Sequence, residues 1–172
     1  GYGYHYRYRG RRSQHFALVD EKGNPVFHKI PKNFKNAKSD GERWRYLLMM
    51  RMELNNAYRQ QVMREYADFL LNQFGVQTMA GYGWFGRRGG GDDDAEDREG
   101  GILTLHTLKD DETVARLATG IKRFELPAEH NFVRIYKELG DNHQHGLSQL
   151  RTIYLNRRQY DRAVPVLRRL IA

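Results

Sequence analysis

The chain of 172 residues has no cysteine and only four prolines. Without thiols it can form no disulfide framework, no thiol nucleophile and no zinc site built on thiolates. Long apolar runs are also missing. The longest, Leu47-Leu48-Met49-Met50, is far short of the ~20 residues that cross a bilayer, so no membrane span is expected. Seven histidines are present, but not at the spacing of a four-ligand metal site. His143 and His145 stand beside Asp141 at an expected helix start, where polar side chains serve as caps. His130 is near them in sequence only, and His106, inside an apolar alternation, reads as a hydrogen-bonded, half-buried side chain. No nucleophile–base pairing is legible. Gly89 to Gly91 precede aspartates rather than lysine and threonine, which would repel phosphate. Asp92, Asp93, Asp94, Glu96 and Asp97 lack the ligand spacing and closing glutamate of an EF-hand. Catalysis, a metal site and a cofactor are accordingly not expected.

Basic charge is plentiful. Lys and Arg number 29 against 21 Asp and Glu, a formal net charge of +8. Residues 1–65 hold 14 basic and 6 acidic side chains, residues 66–100 hold 3 and 7, and residues 101–172 hold 12 and 8. An excess of this kind attracts nucleic acid, anionic surfaces or acidic partners. It is concentrated in the opening tract, GYGYHYRYRGRR, where tyrosines recur at every second position. That period places their rings on one face of an extended strand. Tyr4, Tyr6 and Tyr8 with Arg7, Arg9, Arg11 and Arg12 are therefore the candidate partner-binding residues. As stacking faces beside phosphate contacts they suit single-stranded nucleic acid; as an edge strand they would cover a helical core.

Beyond this tract, Phe16 to Val19 and Val26 to Ile30 flank the turn formers Asp20 to Pro25, which predicts an N-terminal β-hairpin. Ser39 and Glu42 fit a capping box. They open a helix whose core face is expected to carry Trp44, Leu47, Leu48, Arg51 and Leu54, with Trp44 as anchor and Met49, Met50 and Met52 as filling. A second helix follows, with Val62, Tyr66, Phe69, Leu70 and Phe74 on one face and Gly75 as a left-handed stop. Residues 81–101, rich in glycine and acid, read as a flexible loop, and Ile102 to Leu108 as a short extended piece. A helix capped by Asp110 or Asp111 is expected to carry Val114, Leu117, Ala118, Ile121 and Phe124. Pro127 then opens another helix, with Phe132, Ile135, Tyr136 and Leu139 on one face and Gly140 as its stop.

The closing residues form two helical patterns around a tight turn at Asn156 to Gln159. Leu147, Leu150 and Tyr154 line one face, and Ala163, Leu167 and Leu170 the other. The pair resembles a tetratricopeptide repeat. Leu147 and Leu150 match its first-helix landmarks, Tyr154 its tyrosine, and Tyr160 to Ala163 the turn into its second helix. Arg151, where the repeat has a small residue, and Pro165, inside the second helix, depart from the pattern. More loosely, the strings DEKGNPVFHKIP, AKSDGERWRYLL, YADFLLNQFGVQTMA, LHTLKDDETVARLATGIKRFELP and FVRIYKEL resemble the helical region of large bacterial alpha-macroglobulin-like proteins. That kinship implies an exported, modular parent. It implies no thioester chemistry here, because a thioester needs a cysteine.

These readings combine into a mainly α fold. Antiparallel helical hairpins form a repeat-like superhelix over residues 39–172, and an arm with a small β-hairpin covers residues 1–38. The expected function is a non-catalytic scaffold or protein-interaction module of a larger polypeptide. Its alternative is a basic nucleic-acid-binding protein.

Overall fold

The computed structural model describes residues 19–75, 104–140 and 143–171. The Tyr/Arg tract, with its seven candidate residues, and the 81–101 segment lie outside them. The described residues are mainly helical, with five α-helices and one small two-stranded antiparallel sheet.

Helix α1 (Asp40–Leu54) starts at Ser39, whose Oγ accepts from the Glu42 N–H at 3.2 Å. The Glu42 carboxylate reaches the Lys38 N–H at 2.6 Å, one residue upstream of the reciprocal bond a capping box makes. Helix α2 (Arg59–Phe74) buries Val62, Tyr66, Ala67, Leu70 and Phe74. Its stop is not left-handed: Gly75 is extended at φ −63° and ψ 154°, its N–H bonded to the Leu71 carbonyl at 2.7 Å. The chain can leave α2 this way because the last carbonyl, of Phe74, takes the Thr113 hydroxyl at 2.5 Å.

Thr113 belongs to the largest departure from expectation. Residues 112–125 form a β-hairpin, β1 (Glu112–Leu117) and β2 (Gly120–Glu125), in register from Glu112 opposite Glu125 to Leu117 opposite Gly120. The expected helix through Val114, Leu117, Ile121 and Phe124 does not exist. Thr113, Val114 and Ala115 are all buried, so β1 is covered on both faces and shows no alternation. Its apolar residues then fall by coincidence at helical spacing.

Of the hairpin expected near the N-terminus, the described residues hold one bridge, Val19 opposite Pro25, and Val26 to Ile30 form no strand; Phe16 to Leu18 lie outside them. Its turn formers still make a turn. The Asp20 carboxylate accepts from the Lys22 and Asn24 N–H groups at 2.9 and 2.8 Å. The Gly23 carbonyl takes the Lys122 ammonium at 2.8 Å, fastening this turn to the sheet. Phe27 follows and packs on Phe74 and His130, with ring centroids 5.3 and 5.1 Å away.

Leu105–Thr107 is a 3-10 turn rather than an extended piece. Pro127 opens a second such turn, Ala128–His130, and not a helix. Helix α3 (Phe132–Glu138) starts after it, capped by the Asn131 side chain, which accepts from the Arg134 N–H at 2.9 Å. Gly140, at φ +82°, ends this region in the left-handed conformation that glycine adopts without strain. Helix α4 (Gln144–Asn156) is capped by His143, whose Nδ1 accepts from the Gly146 N–H at 3.1 Å. A tight turn leads into α5 (Tyr160–Ile171). One apolar cluster joins Leu48 of α1, the α2 face, Leu117 of β1, the α3 face, Leu147, Leu150 and Tyr154 of α4, and Ala163 and Val166 of α5.

Candidate functional site

The C-terminal hairpin holds the helical candidates named from the sequence. Leu147, Leu150, Tyr154 and Ala163 are buried, Leu167 and Leu170 are half-buried, and Tyr160 is 61% exposed. At about 100° per residue, the inner stripe of α5 is Ala163, Val166 and Leu170, facing α4. Val166, not Leu167, thus fills the middle inner position. Small Ala163 lets α4 and α5 approach closely. A second, outer line, Tyr160, Val164, Leu167 and Ile171, follows the spacing of four, three and four residues and adjoins the inner stripe about 100° further round the helix. Val164 is 44% and Ile171 85% exposed. Residues 143–171 also carry six arginines against one acid, Asp161; of these arginines Arg157 is buried and Arg162 meets Asp110.

The turn between these helices is built unlike a solvated loop. Arg158 takes a left-handed φ of 56°. The Gln159 N–H reaches the Tyr154 carbonyl at 2.9 Å, and the Arg158 N–H the Leu155 carbonyl at 3.0 Å. This is a Schellman closure with arginine where glycine is usual. It turns the flanking side chains inward. Arg157 is completely buried and donates to the Lys109 and Glu112 carbonyls, each at 3.0 Å. Burial pulls its pKa down to about 10 against the favourable charge of Asp110, which leaves it cationic near neutral pH. Gln159 donates to the Leu108 carbonyl at 2.6 Å and the His106 carbonyl at 3.2 Å. Both side chains grip the segment leading into β1. Sequence reasoning located this turn but not its role, because arginine and glutamine in a turn read as solvated.

Asp110 forms a second junction. Its carboxylate meets Lys137 of α3 at 2.5 Å, Arg162 of α5 at 3.0 Å and the Tyr154 hydroxyl of α4 at 3.3 Å. Burial alone would raise its pKa, but the hydrogen bond and charge of Lys137, then Arg162, hold it below the ordinary carboxylate value. Asp68 of α2 likewise accepts from the Tyr136 hydroxyl at 2.6 Å and lies 2.8 Å from His145 Nε2. Burial first, then the hydrogen bond to Asp68 and its charge, push the Tyr136 phenol's pKa up. Both junctions tie helices together, and His145 serves there as a strut to α2.

The N-terminal helical pair differs from expectation on its outer side. Trp44 is partly exposed and stacks on Phe69 at 4.7 Å, while Leu47 and Leu54 face outward. The buried residues of α1 are Leu48 and Arg45, so its core face is turned by roughly one residue from the expected one. The cause is visible in the sequence: apolar residues occur almost all round α1, and no single face stands out. Arg45 is 1% exposed; it donates to the Gly41 carbonyl at 2.9 Å and its guanidinium carbon lies 5.2 Å from the Phe69 ring centre. Its Nε, the Tyr66 hydroxyl and Nδ1 of His130 are buried without a hydrogen-bond partner. Burial raises the Tyr66 pKa, against the pull of the Arg45 charge. Burial also lowers that of His130, whose Nε2 lies 3.1 Å from the His28 carbonyl.

No group of three metal-ligating side chains occurs among the described residues, and no helix among them is long and apolar enough to cross a membrane. A scan of protein-family models, a search of curated proteins and a search of solved structures each find no match for this chain.

Proposed function

We propose that this chain is a non-catalytic helical interaction module, a scaffold segment whose hairpins stack in the manner of tetratricopeptide repeats. The observation that carries the reading is the outer stripe of α5. An amphipathic helix normally spends its apolar face on its own core, yet the apolar arc of α5 is wider than its contact with α4 and leaves Val164 and Ile171 exposed. A hairpin that leaves apolar surface beyond its own core suits an array in which each unit covers its neighbour. Leu47 and Leu54 of α1 leave apolar groups outward at the other helical pair. The sequence strings shared in character with alpha-macroglobulin-like proteins support placing such a module within a larger exported polypeptide.

The test is photocrosslinking from a reactive residue placed at Leu47 and, separately, at Val164, in the cell that makes the protein. Protein adducts at both positions are expected. Adducts made only with nucleic acid would instead favour the basic nucleic-acid-binding reading, and the absence of any adduct at both positions would refute the module.

A further inference from the structure

We infer that residues 29–38 are a docking surface for an anionic lipid bilayer, on which the protein lies without crossing it. The inference goes beyond the module reading and does not depend on it. Lys29, Lys32, Lys35 and Lys38 recur at every third position, and all four are exposed. Three residues of chain span at most about 11 Å. That is comparable with the screening length of about 8 Å in physiological salt, so the fields of neighbouring lysines overlap. No residue from Lys22 to Lys38 is acidic. Of the acids at either end, Glu21 stands eight residues before Lys29. The Asp20 carboxylate closes its own turn, Asp40 meets Arg43 at 2.6 Å, and Glu42 takes the Lys38 backbone N–H. Glu129, next to the His130 that holds this segment, lies 3.8 Å from His130 Nδ1. Among the described residues, none of the four ammonium groups meets a carboxylate.

Apolar side chains stand between these charges: Ile30 is 37% and Phe34 47% exposed. The segment is tied down at both ends. Phe27 packs on Phe74, and the His28 carbonyl lies 3.1 Å from His130 Nε2. At the other end Ala37 is buried, and Asn33 accepts from the Asn36 N–H at 2.9 Å. Phe34 leans on Tyr46, with ring centroids 6.2 Å apart. An anionic bilayer matches this pattern on both counts. Its headgroups offer a diffuse negative field to the ammonium groups, and the acyl boundary beneath takes Ile30 and Phe34. The lysine stems lie along that boundary while their charges stay in water. Polybasic attraction and apolar insertion are the two signals that hold a protein on a membrane surface. Nucleic acid fits less well, because residues 29–38 hold no arginine to fork on phosphate and Ile30 has no ring to stack on a base. Protein interfaces likewise favour arginine and are poor in lysine.

The experiment is co-sedimentation of the full chain with two kinds of vesicle. One is phosphatidylcholine alone, and the other is phosphatidylcholine mixed two to one with phosphatidylglycerol. The anionic vesicles are expected to carry the protein down and the neutral ones to leave it in solution, with less carried as salt rises. Lys32→Gln combined with Lys35→Gln should weaken the binding about 25-fold, about fivefold for each lysine. Phe34→Ser should weaken it about fivefold. These positions are exposed, so the melting temperature should be kept. Equal sedimentation with both vesicles, none with either, or indifference to the lysine pair or to Phe34→Ser would overturn the proposal. An equal loss from Arg9→Gln combined with Arg11→Gln would assign the attraction to net charge and overturn it too. So would complete release from the vesicles by an equal charge of oligothymidylate or of polyglutamate, which would favour a nucleic acid or an acidic protein on these lysines. None of these outcomes decides the module reading, which the crosslinks at Leu47 and Val164 test by themselves.

Discussion

The two helical hairpins of this protein each bury an arginine, and they use it in opposite ways. Arg157, in the α4–α5 turn, crosses to another part of the chain and spends its two terminal nitrogens on the carbonyls of Lys109 and Glu112. Arg45, in α1, donates to the Gly41 carbonyl of its own helix and lies against Phe69 and near Tyr66 of α2. Removing a guanidinium from water is costly, and hydrogen bonds that join separate segments are what offset the cost. Arg157 therefore works as a fastener between the C-terminal hairpin and the β1 approach. Arg45 occupies a space that a long apolar side chain could fill.

The strongest way to break this comparison is Arg157→Met. The substitution keeps most of the volume but removes two charge-assisted bonds, leaving carbonyl groups of the 109–112 segment less well satisfied. A loss of about 3 kcal/mol is expected, read from denaturant unfolding of the full chain. Amide exchange should accelerate in β1 and in the α4–α5 turn before it does so in α2. A loss below about 1 kcal/mol would mean that Arg157 is no more a fastener than Arg45.

What the sequence allowed one to read follows the same division. The inner face of the C-terminal hairpin was legible because Leu147, Leu150, Tyr154 and Ala163 keep one period and one helix partner. The α2 face was legible for the same reason. The face of α1 was not, since Trp44, Tyr46, Leu48, Met49 and Met52 point in most directions round the helix and leave no unique side. The β-hairpin was missed because β1 is buried on both faces, where alternation disappears. The fastening roles of Arg157, Gln159 and Asp110 depend on carbonyls and charges about 30 to 50 positions away in sequence, and local patterns carry no trace of such partners. The outer α5 line could have been found from the spacing of Tyr160, Val164 and Ile171. Leu167, half-buried next to Ala163, is not assigned to either line by spacing alone.

Next in size comes Ala163→Leu. Ala163 is buried between α4 and α5, and the added carbons have no space without moving a helix. Overpacking of this kind costs about 1–3 kcal/mol. The same substitution at exposed Val164, already a large side chain, should leave stability nearly unchanged. A tolerant Ala163→Leu would show that the two helices are not held at close range.

Asp110→Asn should have a smaller effect and a distinct pH signature. Its partly exposed contacts with Lys137 and Arg162 are each worth a fraction of a kcal/mol, and the Tyr154 hydroxyl adds about one more bond. A total of about 1 kcal/mol at neutral pH is expected. The carboxyl is held below its ordinary value in the folded protein, so its stabilisation is complete above the unfolded value of 3.8 and disappears as pH falls through the lowered folded value. Wild type and Asp110→Asn should differ most near neutrality and converge in acid, measured by urea midpoints across that range. Parallel curves would remove Asp110 as the titrating junction.

The smallest expected change is at the other buried arginine. Arg45→Met replaces a guanidinium that has one intrahelical acceptor by a flexible apolar chain of similar length. The loss is one hydrogen bond to Gly41 and the contact with Phe69; the gain is release from burying a charge that no acid opposes among the described residues. Replacement of buried ionic groups by apolar ones of similar volume is commonly neutral or stabilising, so stability should be unchanged or rise by about 1 kcal/mol. Arg45→Ala separates charge from volume: it also removes the charge but leaves a cavity beside Leu48 and Phe69, and should cost about 2 kcal/mol. If Arg45→Met is as damaging as Arg157→Met, the guanidinium's contacts with α2, at Phe69 and Tyr66, hold α1 to α2.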